Sequence, residues 1–145
     1  MSHTSEISSV AIVDIQALEA TVADLNKQGI KCSLQRNVVP RAFYPNQEGL
    51  GLAPFVLKLN DCPYDVGFYE SGNGVYSART DLWMGYVAKL LGATAKDKET
   101  PQQAALGKLF QGYAVNAALR QAARQGYRVT KSVKADGSVQ LIMNV

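Results

Sequence analysis

Phe55-Val56-Leu57-Lys58-Leu59 and Tyr64-Asp65-Val66-Gly67-Phe68-Tyr69, separated by Asn60-Asp61-Cys62-Pro63, decide the fold. Both runs are rich in β-branched and aromatic residues and the residues between them form turns, so the pair reads as a hairpin. Ser71-Gly72-Asn73-Gly74 is a second turn, and Val75-Tyr76-Ser77 reads as one more short strand. A meander of this kind makes an antiparallel sheet, one face of which is available for helices.

Toward the N-terminus, residues 7–13 alternate loosely and read as a strand that ends at Asp14, a good N-cap. Ile15, Leu18, Val22 and Leu25 recur at spacings of three, four and three, which predicts a helix with one apolar stripe that stops at Gly29. Ile30, Cys32 and Leu34 alternate with Lys31, Ser33 and Gln35, predicting a half-exposed strand that runs toward Pro40. Residues 40–54 have no period and read as a long ordered loop. Phe43, Tyr44, Leu50 and Leu52 give that loop more apolar surface than a solvated connection carries, so it is expected to fold over the sheet or to contact a partner.

Toward the C-terminus, Thr80 or Asp81 can cap a helix through Leu82, Trp83, Met84, Val87, Leu90 and Leu91, ending at Gly92. Residues 93–99 form a polar linker. Thr100-Pro101-Gln102-Gln103 then offers an N-cap, a proline at the first helical position and a capping-box Gln. The helix is expected to run to Arg124 or Gln125, with Leu106, Leu109, Phe110, Tyr113 and Ala117 facing the core and Gly126 closing it. Residues 127–133 and 139–143, joined through Asp136-Gly137, read as a hairpin. The expectation is a single α+β domain over residues 1–145: a mostly antiparallel sheet with helices on one face, a ferredoxin-like βαββαβ core with insertions, and a C-terminal β-hairpin.

A chain of 145 residues with 47% hydrophobic and 19% charged residues is neither disordered nor fibrous. No apolar run approaches the roughly 18 residues of a bilayer span, and the N-terminus does not read as a leader, so a soluble, cytoplasmic protein is expected. Cys32 and Cys62 read as reduced packing thiols. The single histidine, His3, lies in a terminal arm where no local residue orients it as a base. Asp61 and Asp65 flank a tight turn and could share a cation, but the plainer reading leaves Asp61 in the turn and Asp65 on the solvent side. Neither Gly49-Leu50-Gly51 nor Gly72-Asn73-Gly74 joins a strand to a helix as a phosphate loop does. We therefore expect no enzyme, and no catalytic residue, metal or cofactor.

Charge is unevenly placed. Residues 1–100 hold nine Lys/Arg against eleven Asp/Glu, whereas residues 101–145 hold six against one. Arg120 and Arg124 stand one helical turn apart, and Arg128, Lys131 and Lys134 follow in the adjoining strand and turn. Such a basic face suits an acidic protein partner or, alternatively, nucleic acid. Reversing Arg120 and Arg124 to Glu is expected to abolish binding and leave the fold intact.

The opening Met1-Ser2-His3, the helix from Asp14-Ile15 to Leu25, Tyr64-Asp65-Val66-Gly67-Phe68, Asp81-Leu82-Trp83, Phe110-x-x-Tyr113-Ala114, Gln125-Gly126-Tyr127-x-Val129 and Asp136-Gly137-Ser138-Val139-x-Leu141 together resemble the Ycf35-like family, DUF1257. The resemblance spans nearly all of the chain. It implies an origin in cyanobacteria, algal plastids or a bacteriophage, one small domain, and an adaptor role beside a Ycf46-like AAA+ ATPase. It contributes no chemistry.

Overall fold

The computed structural model describes residues 4–42, 51–92, 104–133 and 139–144. Five strands form one antiparallel sheet: β1 (Thr4–Ile12), β2 (Cys32–Val38), β3 (Ala53–Leu59), β4 (Val66–Gly72) and β5 (Val75–Asp81), in the order β1-β5-β4-β3-β2. Helix α1 (Ile15–Lys27) links β1 to β2, which lie at opposite edges. The helix is ~20 Å long and the sheet ~19 Å wide between its edge strands, so one straight helix can carry the chain across. After β5 come a 3-10 turn (Trp83–Gly85), α2 (Tyr86–Leu91) and α3 (Gly107–Arg124), then a separate two-stranded sheet of β6 (Arg128–Val133) and β7 (Val139–Asn144).

The α+β class, the antiparallel sheet and the C-terminal hairpin agree with the sequence reading. The strand order does not follow the ferredoxin-like βαββαβ template. In that template the strand after the second helix joins the main sheet, whereas β6 and β7 pair only with each other among the described residues. A further difference is β5, a full seven-residue strand that pairs with β4 on one side and β1 on the other, so that three strands lie between β1 and β2 and β1 keeps an open edge among the described residues.

One face of the sheet presents Cys32, Leu57, Leu59, Val66, Phe68 and Ala78 to the buried faces of the helices. The helices contribute Leu18, Val22 and Leu25 from α1 and Leu109, Phe110 and Tyr113 from α3, as their apolar stripes require. Both long helices end alike. At α1 the amides of Gly29 and Ile30 reach back to the carbonyls of Asn26 and Leu25, each at 3.0 Å; at α3 those of Gly126 and Tyr127 reach Ala123 and Ala122 at 3.1 and 3.0 Å. This double bond needs a left-handed residue, and Gly29 and Gly126 supply it with φ of 91° and 82°.

Three local expectations change. Thr80 and Asp81 belong to β5, and the helix after them is shorter than its apolar spacing suggests, because Met84 and Gly85 both have positive φ (60° and 69°) and break it. Asp81 still caps, accepting the Trp83 amide at 2.9 Å. Tyr64 and Asp65 precede β4 rather than opening it, and Asp65 is buried instead of solvent-facing. Strand β3 starts at Ala53, inside the stretch expected as loop. Thr100, Pro101 and Gln103, the expected cap, lie outside the described residues, so that expectation stands apart from these changes; residues 104 and 105 are helical, and after a turn at Leu106 α3 runs from Gly107 without a side-chain cap.

Candidate functional site

The polar groups that cluster around the start of α1 come from two distant parts of the chain. Asp14 caps α1, its Oδ1 accepting the Ala17 amide at 3.1 Å. Helix α3 packs antiparallel on α1 through residues spaced one turn apart. Gly112 lies against Thr21, Asn116 Nδ2 donates to Thr21 Oγ1 and to Asp24 Oδ2 (3.1 Å each), and Arg120 Nε donates to Asp14 Oδ2 at 2.8 Å. One turn further, an Arg124 terminal nitrogen stands 3.4 Å from the same oxygen. Arg120 also donates to Gln16 Oε1, and the Tyr113 hydroxyl accepts the amides of Val13 (2.8 Å) and Asp14 (3.0 Å).

Burial alone pushes the Asp14 carboxyl up. The hydrogen bond from Arg120, that from the Ala17 amide and the charges of Arg120 and Arg124 outweigh burial and hold the carboxyl below its usual range. Around this carboxylate runs a groove of about 340 Å³ lined by Val13, Asp14, Gln16, Ala117, Arg120 and Arg124, among others. Two guanidinium groups face one carboxylate there, so the groove keeps a net positive charge.

Of the sequence-selected cations, the structure brings Arg120 and Arg124 together at the groove. Arg128 and Lys131 are exposed on β6, just beyond the Gly126 turn. Lys134 lies outside the described residues. Arg120 is not the freely exposed helix residue that the reversal experiment assumes: its side chain is one-third exposed and paired with Asp14. Reversing it would set two carboxylates against each other at the start of α1, so that substitution tests the fold together with the binding. The spacing of the two arginines was visible in the sequence. Their partner was not, because Asp14 reads locally as a helix cap and lies 106 positions from Arg120.

Among the loop residues, Leu52 is 65% exposed, and Phe43, Tyr44 and Leu50 lie outside the described residues. The described residues on either side of them are held to the sheet. Arg41 makes a forked pair with buried Asp65, its terminal nitrogen 2.7 Å from Oδ1 and its Nε 3.1 Å from both oxygens. The Gly51 carbonyl accepts the Tyr69 hydroxyl at 2.8 Å.

The Arg41–Asp65 pair closes a second polar cluster. Asp65 Oδ1 also accepts the Leu59 amide at 3.3 Å, and Arg41 donates to the Leu59 carbonyl at 2.7 Å. Cys62 and Tyr64 are buried beside it, and Tyr64 meets Tyr86 edge-on with ring centroids 5.6 Å apart. Burial pushes the Cys62 thiol and the Tyr64 phenol up. A nucleophile needs the opposite shift. The arrangement suits a structural pin for the β3–β4 turn, and Asp65 is committed to Arg41, whereas Asp61 is exposed. Among the described residues no three metal-ligating side chains converge, and no helix is long and apolar enough to cross a membrane.

A family model described as "Protein of unknown function (DUF1257)" matches residues 53–142. The match runs from the start of β3 into β7. It includes Arg120 and Arg124 and leaves out Asp14. No curated protein and no solved structure matches the chain.

Proposed function

Because the chain belongs to the DUF1257 family, whose function is unknown, we propose a role from its own surface: a non-enzymatic binding domain that docks an acidic protein partner at the cationic end of α3. The observation that carries this reading is the groove at the α1–α3 contact, where Asp14 holds Arg120 in a set orientation and leaves Arg124 60% exposed. Arg128 and Lys131 extend the same charge onto β6. Fixed guanidinium groups bind carboxylates without first losing rotamer freedom, which favours a folded or peptide partner. The Asp14 carboxylate at the centre of the groove opposes any anion brought to both arginines, phosphate and carboxylate alike, so an incoming acidic group meets the more exposed Arg124 rather than Arg120. An AAA+ ATPase, the partner implied by the resemblance, is one protein that this surface would have to meet through acidic residues.

The test compares a polyglutamate peptide with a single-stranded oligonucleotide of equal charge, over a salt series. The reading expects the peptide to bind more tightly, with binding weakened at least about tenfold in the Arg124→Glu/Lys131→Glu double variant, a loss of roughly 1.4 kcal/mol. Both residues are exposed, but Arg124 also pairs with Asp14 at 3.4 Å, so the far-ultraviolet circular dichroism and thermal melt of the variant must match the wild type. Tighter binding of the oligonucleotide, with affinity falling by about 0.7 log units per phosphate contact for each log unit of salt, would replace this reading with the nucleic-acid one.

A further inference from the structure

The molecule has four strand edges without a neighbouring strand among the described residues, and three of them are guarded against pairing. Strand β1 loses register between Ile7 and Ile12. Strand β2 carries exposed Arg36 and, next to it, Asn37 at a φ of 54°, which turns the backbone out of the extended region. Strand β6 carries exposed Arg128 and Lys131. Charges, bulges and kinks are the usual means by which proteins keep other chains off an open edge.

Strand β7 has none of these. Val139-Gln140-Leu141-Ile142-Met143-Asn144 contains no charged residue, proline or glycine, and its register with β6 is unbroken over six pairs from Val133–Val139 to Arg128–Asn144. Ile142 is 45% exposed. The ribbon touches α3, and a third strand would widen it from two strands, marginal by themselves in water, into a sheet. We propose that β7 accepts an extended acidic segment of the partner as an added strand, so that backbone hydrogen bonds supply the affinity and the neighbouring cations the selectivity. This rests on the acidic-partner reading and specifies how that partner binds.

Charge decides between the possible strands. Residues 101–145 hold six basic side chains against one acidic, so pairing β7 with a second copy would bring two like-charged regions together. An acidic segment added at β7 instead lies one strand removed from exposed Arg128 and Lys131 of β6, within the range of their charge.

The probe is a ten-residue peptide of alternating Glu and Val, compared with its Lys/Val counterpart, with amide hydrogen exchange read residue by residue over 139–144. Strand addition slows every second amide of β7, those turned away from β6, by about tenfold at a peptide concentration ten times Kd. The Lys/Val peptide should leave them unchanged. If the Glu/Val peptide binds without alternating protection on β7, strand addition is wrong and acidic docking stands. If it does not bind at all, both ideas fail. Equal protection by the two peptides overturns the choice of an acidic strand. Protection of the outward amides in the free protein, together with a dimer in sedimentation, would assign the edge to a second copy and overturn the proposal.

Discussion

The Tyr113 hydroxyl lies 3.0 Å from the Asp14 amide nitrogen, joining α3 to the first residue of the α1 cap across 99 positions of sequence. The same oxygen accepts the Val13 amide at 2.8 Å, so a single side chain satisfies two backbone donors where β1 turns into α1. Tyr113→Phe keeps the buried ring and removes the acceptor. We expect a loss of about 1–3 kcal/mol in urea denaturation, the cost of stranding partly buried amides. A variant as stable as the wild type would mean that water replaces the hydroxyl.

Gly112 lets α1 and α3 approach closely, since a Cβ there would lie 2.8 Å from Thr21 Cγ2. Gly112→Ala therefore sets a gain of about 1 kcal/mol in helix propensity against an overpacking cost of about 1–3 kcal/mol. Thr21→Ser removes the opposing methyl and keeps the hydroxyl that donates to the Ala17 carbonyl at 2.7 Å. The double variant should be more stable than the sum of the singles predicts, by about 1 kcal/mol. Additivity in that cycle would show that the helices simply move apart.

What was legible in the sequence was set locally. The Asp14 cap, the stop at Gly29, the stripe from Leu18 to Leu25 and the closure at Gly126 depend on residues within a turn or two of one another. Strand β5 was seen only as Val75-Tyr76-Ser77, because Thr80 and Asp81 look like solvent-facing or capping residues. Both are buried. Thr80 donates to the Asp65 carbonyl at 2.9 Å, a contact fixed by strand pairing that no local pattern reveals. Asp65 was misplaced for a similar reason: its partner Arg41 stands 24 positions earlier, at the edge of a stretch with no period. At the candidate site, the spacing of Arg120 and Arg124 was readable, whereas the carboxylate that orients them was not.

Removing Arg41 should cost more than an ordinary surface ion pair. Asp65 keeps only 5% of its side chain exposed, so Arg41→Ala leaves a buried charge with backbone donors as its remaining partners. Breaking a buried pair costs about 3–5 kcal/mol. Because Arg41 is itself 42% exposed, water can enter, and the expected loss falls to about 2–3 kcal/mol. Arg41→Lys should recover only part of it, since an ammonium cannot reproduce the fork. Full recovery by Lys in thermal melts would reduce the pair to a point-charge contact.

Asp14 gives a pH signature with a definite sign. Its carboxyl is held below the usual range in the folded protein, so the folded state binds this proton less readily than the unfolded chain, where the value is about 3.9. The stabilisation is therefore fully present above that unfolded value and fades as the pH falls through the lower folded one. Asp14→Asn tests this cleanly, because Asn caps a helix about as well as Asp and leaves the Ala17 amide an acceptor. What it removes is the charge facing Arg120 and Arg124 together with the oxygen that accepts from them, since the amide nitrogen takes the place of Oδ2. In urea denaturation the variant should be less stable by about 1 kcal/mol at pH 7. The deficit should hold steady down to about pH 5 and shrink below about pH 4, as the wild-type carboxyl takes up its proton. A deficit that persists undiminished at pH 2 would assign the loss to altered packing or capping, and would remove the electrostatic basis for treating Asp14 as the group that orients the arginines of the groove.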